Sequence, residues 1–346
     1  MRKTITWGFF ACGVGLLLAL YLFYSPAREA GEAPPVPPPA SATGTVAAAC
    51  VDTNSAVRQP LVLRRSAVRY ATTWTFNGAL SGNQLPIRTV AQIPAGILID
   101  ASSGRILWSK SVTMPLQIAS MTKMMTVLLA MEAVERGELT LDTVLTTTLE
   151  ASKVGGSQIY LKVGETFTLA ELLKTIMMVS ANDAAHLVAA RVAGSINAFV
   201  ARMNERARQL GMQQAHFYNV HGLPMRAGRN TGSALDMAKV AHALLKYPDV
   251  LCWSSTWTDT IRSGTFALVN HNPLVKTVDG VDGLKTGYYS SAGYSITLTA
   301  LRNGRRCIAV VIGVPNKQTR NAFGAELLEW GFKHSAAPQT YSAVTR

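Results

Sequence analysis

Gly96-Ile97-Leu98-Ile99-Asp100, Ser102-Ser103-Gly104 and Arg105-Ile106-Leu107-Trp108 read together as two strands joined by a turn. Twelve residues further on, Met121 to Arg136 is apolar almost all round and stops at Gly137. A helix without a polar side belongs in the centre of a domain. Four more helices are expected: Ala170–Val179, Asp183–Ala193, Ile196–Leu210 and Ala234–Leu245, with Ile196–Leu210 on the surface. The character then reverts to strand. Ser291–Ala300 and Arg306–Val314 are β-rich, and Asn303-Gly304 supplies the hairpin turn. Thr319–Gly331 closes the pattern as an amphipathic helix. Strands at both ends with helices between predict one α+β domain. Its antiparallel sheet draws on both chain ends, and a mostly helical subdomain lies between them.

The chain has 346 residues, 48% hydrophobic and 15% charged, which excludes a disordered polymer. Four cysteines, none in a C-x-x-C pair, exclude a disulfide-dense mini-scaffold and suggest no structural zinc. No G-x-x-x-x-G-K-[ST] loop is present, which argues against a P-loop nucleotide enzyme. The net charge of +13 suits anionic partners in general. The basic residues are scattered without interleaved aromatics, so nucleic acid is not expected as a partner.

Arg2 and Lys3 precede an uncharged run from Ile5 to Tyr24. About 20 residues at about 1.5 Å each cover a bilayer core. The leading positive charges predict export of the rest of the chain. Residues 1–27 read as a signal-anchor helix or, with small Ser25 and Ala27 near a cut site, as a cleaved signal peptide. Either reading exports the folded part, to the periplasmic face of a bacterial inner membrane or as a secreted form. Residues 28–49, with Pro34-Pro35-Val36-Pro37-Pro38-Pro39, read as an extended linker. Residues 50–92 show no clear period and form an extension without an assignment. The main domain is expected over 93–335, with a tail at 336–346. Of Cys50, Cys252 and Cys307 at most one internal pair can form, and the sequence does not choose it.

Three short motifs carry chemistry. In Ser120-Met121-Thr122-Lys123 the i, i+3 spacing puts a hydroxyl and an amine on one helical face. Serine needs a base beside it, and a lysine becomes one when burial or a like charge lowers its pKa. Alone, the pair is a capping serine and a solvated lysine. Ser180-Ala181-Asn182 can offer a hydroxyl and an amide to one cavity; alone it is a helix cap. Lys285-Thr286-Gly287 can hold a carboxylate and let a peptide backbone approach a strand edge. Alone, Lys285 is an edge-strand charge that discourages aggregation.

In this order, S-x-x-K, S-x-N and K-T-G are the set of penicillin-binding proteins and serine β-lactamases. Asn219-Val220-His221-Gly222-Leu223-Pro224, Asn270-His271-Asn272-Pro273-Leu274 and Val281-Asp282-Gly283-Leu284 extend the likeness. Over roughly 93–333 the chain resembles the low-molecular-mass penicillin-binding proteins that act as D-alanyl-D-alanine carboxypeptidases. The resemblance implies a β-lactamase/transpeptidase-like fold and peptidoglycan D-Ala-D-Ala stem peptides as substrate. It also implies β-lactams as covalent inhibitors, and no cofactor or metal. It implies Ser120 as nucleophile, Lys123 as general base, Ser180 as proton relay and Asn182 as partner of the substrate amide. Lys285 and Thr286 would anchor the terminal carboxylate. Gly287 would admit the substrate backbone, and the N–H groups of Ser120 and Tyr288 would form the oxyanion hole. A DD-endopeptidase is the nearest alternative. A β-lactamase fits less well, because the only glutamate between Asn182 and Lys285 is Glu205, on an expected surface helix. An inactive wall-binding protein is a further alternative. In a departure from many members of that family, no C-terminal β-domain is expected after Trp330-Gly331-Phe332, and membrane attachment is expected through the N-terminal run instead. His221 and His271 are expected to be structural.

Overall fold

Val281 to Val314 sets the architecture with three strands in succession, each buried over most of its length. The structure, a computed structural model, describes residues 70–335. The expected signal-anchor or signal peptide, the linker, the first part of the extension and the tail from 336 lie outside the described residues. In chain order the strands are β1 (Leu80–Ser81), β2 (Ala95–Asp100), β3 (Arg105–Lys110), β4 (Leu116–Gln117), β5 (Val144–Thr146) and β6 (Thr166–Thr168). They continue with β7 (Thr231–Gly232), β8 (Thr258–Ile261), β9 (Phe266–Val269), β10 (Val281–Tyr289), β11 (Gly293–Arg302) and β12 (Arg305–Val314). The helices are α1 (Lys123–Glu135), α2 (Leu149–Ser152), α3 (Leu169–Met178), α4 (Asn182–Ala193) and α5 (Ile196–Gln209). After them come α6 (Ala234–Leu244), α7 (Pro248–Ser255), α8 (Leu274–Thr277) and α9 (Lys317–His334).

The main sheet has the order β1-β3-β2-β12-β11-β10, so strands from both chain ends meet where β2 pairs with β12. All its pairs are antiparallel except β1 with β3, a departure from the expected all-antiparallel sheet. The two central strands carry unbroken apolar runs, Ile97–Ile99 in β2 and Cys307–Ile312 in β12, because both faces are covered. Along β12, Ile308, Val310 and Ile312 face the core shared with the helical subdomain, while Cys307, Ala309 and Val311 face the core under α9. That split is the two-residue period of a strand.

Trp108 anchors the α9 side. It is fully buried, meets Phe323 edge-on at 5.6 Å between ring centroids, and donates from Nε1 to the Gly82 carbonyl at 2.9 Å. Gly96 makes room for it, since a Cβ there would lie 2.7 Å from the indole ring. Residues 70–92, unassigned from sequence, also join the domain. Leu85, Ile87 and Val90 enter the α9-side core, and Tyr70 and Trp74 pack on the other side.

On the helical side α1 is buried through Ala133, as its apolar surround predicts. α3 opens on a capping box between Thr168 and Glu171, and α6 on one between Ser233 and Asp236. α7 and the β8–β9 hairpin are absent from the sequence reading. Cys307 is free and buried, whereas Cys252 is disulfide-bonded. Among the described residues no single helix is long and apolar enough to cross a membrane.

Candidate active site

Ser120 sits in a single 3₁₀ turn, Ala119–Thr122, from which α1 departs at Lys123. The turn is entered through Ala119 at φ +44°, a left-handed conformation that costs energy at a residue with a Cβ. It is gripped from both sides. A Cβ on Gly222 would lie 2.0 Å from the Ala119 carbonyl oxygen, and one on Gly287 would lie 2.8 Å from that of Ile118. Both positions need glycine so that two other segments can reach the turn.

Lys123 is completely buried. Its Nζ lies 3.0 Å from Ser120 Oγ and donates to the His221 carbonyl at 2.7 Å. Burial first, and then the Lys285 charge, hold this amine well below its usual pKa, with Asp183 pulling the other way. A lysine with a lowered pKa beside a serine hydroxyl has the arrangement that a nucleophile–base pair requires.

The His221 carbonyl is held in place by a buried asparagine pair. Asn219 Oδ1 accepts from the N–H groups of His221 at 3.2 Å and Gly222 at 2.6 Å. Asn230 Nδ2 donates to Thr122 Oγ1 and to the Asn219 carbonyl, each at 2.9 Å. Thr126 Oγ1 donates to the Val220 carbonyl at 2.6 Å. The histidine ring takes no part in the contact with Lys123; its Nδ1 accepts from Leu223 N–H at 3.1 Å. Burial, with the Lys123 and His186 charges adding, pulls the His221 ring down to about 3 and keeps it neutral. The sequence marks His221 as structural and gives no role to its carbonyl.

Ser180 and Asn182 approach from the junction of α3 and α4. Ser180 has φ +63°, again left-handed, and Asn182 opens α4. Asn182 Nδ2 donates to the Gly155 carbonyl at 2.7 Å. Asn182 Oδ1 and Ser180 Oγ are buried and have no hydrogen-bond partner among the described residues. Such groups cost about 1–3 kcal/mol each when left unmet, which makes both candidates to bind a ligand's polar atoms. The adjoining Asp183 carboxylate accepts from the N–H groups of Ile159, Leu161 and Ala184 and fixes the junction.

Lys285, Thr286, Gly287 and Tyr288 lie on β10, the outer strand of the sheet. Lys285 is 1% exposed and donates to the Thr286 carbonyl at 3.0 Å. Burial, with the Arg320 charge adding, lowers its pKa to about 7. Arg320 is a charged neighbour that the sequence does not single out. It stands in the first turn of α9, is 3% exposed, and donates from Nε and Nη2 to Asn321 Oδ1. Burial lowers its pKa to about 10, against the opposing influence of Tyr294. Lys123, Lys285 and Arg320 thus bring three buried basic groups to one region. Among the described residues no group of three or more His, Cys, Asp or Glu side chains is placed to hold a metal ion.

A serine–lysine contact, two unmet polar groups and a lysine on the outer strand make up the candidate site, and comparison with known proteins names their setting. Residues 87–316 match the D-alanyl-D-alanine carboxypeptidase family. The chain belongs to that family. It is 40% identical over 241 residues to D-alanyl-D-alanine carboxypeptidase DacF of Bacillus subtilis, covering 69% of this chain and 61% of that relative. It is 33% identical over 288 residues to DacA of Escherichia coli, covering 79% of this chain and 70% of that one. The match therefore spans roughly two thirds of the length of these relatives. Among solved structures, penicillin-binding protein D2 of Listeria monocytogenes, in its ampicillin-bound form, superposes with a TM-score of 0.64 at 29% identity. That superposition covers 70% of this chain and 97% of the Listeria chain. The α+β fold is that of the penicillin-binding proteins.

Proposed function

We propose that the protein is a serine DD-carboxypeptidase that removes the terminal D-alanine from peptidoglycan stem peptides. The observation that carries this reading is the 3.0 Å contact between Ser120 Oγ and a buried Lys123 whose pKa burial lowers well below its usual value. In the proposed reaction Lys123 Nζ takes the Ser120 proton as Oγ attacks the penultimate D-alanine carbonyl. The N–H groups of Ser120 and Tyr288 receive the oxyanion. The C–N bond then breaks, and the leaving D-alanine nitrogen takes a proton relayed through Ser180. Water hydrolyses the acyl-enzyme by the same route in reverse. Lys285 and Thr286 hold the substrate's terminal carboxylate, and Gly287 lets its backbone approach β10. Asn182 Oδ1, whose amide nitrogen is already engaged, accepts from the substrate amide N–H.

β-Lactams, which present a carboxylate and a strained acyl group, would acylate Ser120 in the same way. On this reading residues 93–335 are the catalytic domain. They are exported and held at the membrane by 1–27 through the linker 28–49, or secreted after cleavage. The test is release of D-alanine from a pentapeptide ending in D-Ala-D-Ala. Ser120→Ala should lower kcat by at least about 10³-fold. Equal release by the folded variant overturns the proposal. Release only from cross-linked dimers, with none from the pentapeptide, transfers the assignment to an endopeptidase.

A further inference from the structure

β10 presents Lys285, Gly287 and Tyr289 on one side, because alternate residues of a strand share a face. Lys285 pairs across the sheet with Thr297, whose hydroxyl reaches Met121 Sδ, so this is the side of the Ser120 turn. A peptide whose end carboxylate rests on Lys285 and whose scissile carbonyl meets Ser120 must run its N-terminal part toward Tyr289. Tyr289 lies two residues past Gly287, or about 7 Å along the strand.

A loop reaches the end of β10: at its exit Thr231 pairs with Gln117, whose Oε1 accepts from Ser291 Oγ at 3.1 Å, two residues past Tyr289. It begins at the helical wall, where a Cβ on Gly156 would lie 2.6 Å from Asn182 Nδ2 and 3.2 Å from Leu223 Cδ2. It folds back in a small hairpin, with Met225 N–H donating to the Gly228 carbonyl at 3.0 Å and Gly228 N–H to that of Met225 at 3.2 Å. The hairpin leaves Arg226 and Arg229 exposed. Neither is ion-paired with a described residue. Arg229 is near enough to β10 for its charge to favour ionisation of the Tyr289 phenol, against the larger effect of burial. The Tyr289 hydroxyl is buried and has no hydrogen-bond partner among the described residues.

We propose that Arg226, Arg229 and the Tyr289 hydroxyl form a second carboxylate subsite. It reads a free acid one to three residues N-terminal to the residue that acylates Ser120. The inference rests on the carboxypeptidase reading and adds a selectivity to it: stem peptides with a free carboxylate at that position are preferred to those in which it is amidated. Two guanidinium groups and a phenol are all donors, so a carboxylate satisfies them and a carboxamide satisfies them less well.

The test compares two synthetic pentapeptides ending in D-Ala-D-Ala, identical except for a free carboxylate or a carboxamide upstream. With the full-length protein the acid-to-amide ratio of kcat/KM should be about ten, the size of one partly screened charge-assisted contact. In the double variant Arg226→Gln/Arg229→Gln the ratio should fall to about one, and 0.5 M salt should reduce the wild-type ratio. A ratio near one in the wild type, or an undiminished ratio in the double variant, overturns the subsite while D-alanine release continues. No release from either peptide overturns the carboxypeptidase reading, and the subsite with it.

Discussion

Asn230 is 1% exposed, and both ends of its amide are engaged. Oδ1 accepts from Tyr218 N–H at 2.8 Å and Asn219 N–H at 3.2 Å, while Nδ2 holds Thr122 and the Asn219 carbonyl. Replacing it by alanine orphans the two Asn219 backbone groups in a dry interior; Thr122 can turn its hydroxyl, and water can reach half-exposed Tyr218. Two buried orphans at about 1–3 kcal/mol each predict a loss near 3 kcal/mol. At a slope of about 1–3 kcal/mol per molar urea, the midpoint should fall by about 1–3 M without a change of slope. The same change loosens the 219–223 segment that presents the His221 carbonyl to Lys123. The second-order rate of acylation by a fluorescent penicillin should therefore fall at least about tenfold in protein that is still folded. Thr122→Val removes one of these bonds and should cost only about 1 kcal/mol. The assays are urea unfolding followed by far-ultraviolet circular dichroism, and gel fluorescence of the acylated protein. A loss below 1 kcal/mol for Asn230→Ala, with wild-type acylation, refutes the view that this buried pair positions the lysine.

Lys285 has its pKa lowered to about 7, so its charge is present below that pH and lost above it. We predict that kcat/KM declines above about pH 7, and that Lys285→Arg, whose guanidinium keeps its proton, removes the decline; a wild-type profile flat to pH 9 contradicts this. Gly222 has φ +91° and no room for a Cβ beside the Ala119 carbonyl, so Gly222→Ala should slow acylation at least about tenfold, measured by the same gel fluorescence. Asp282 accepts both ends of the 2%-exposed Arg306 guanidinium at 2.9 and 2.7 Å and the Thr299 hydroxyl at 2.6 Å. Asp282→Ala strands a buried cation and should lower unfolding stability by about 3–5 kcal/mol in the same urea assay.

The strands and helices that can be read most readily from sequence are those whose burial leaves a sustained apolar run. β2, β12 and α1 have one because covered sheet faces and a central helix demand apolar residues on every side. Residues 248–269 lack such a run: α7 is short and opens on Pro248, and the β8–β9 hairpin is mostly exposed or half-buried. Residues 80–92 give no signal because they add two residues to a sheet edge and then two 3₁₀ turns. At the site, the sequence holds the motif residues but not their surroundings. Asn219 and Asn230 look like turn residues in sequence, and only the fold turns their amides inward. Arg320 has the spacing of a surface residue in a first helical turn, yet α9 packs it against the region of Lys285. Ser180 looks like a helix cap in sequence; in the fold its hydroxyl caps nothing and remains unmet, with the backbone left-handed beneath it.

The proposed catalysis depends on Ser120 being made reactive by the amine 3.0 Å away. Peptide mapping by mass spectrometry, after mixing the protein with benzylpenicillin, tests this most directly. We predict one penicilloyl adduct on the peptide containing Ser120, and its loss in Lys123→Met protein that still folds. An adduct confined to another serine, or full labelling of Ser120 without the lysine, contradicts it.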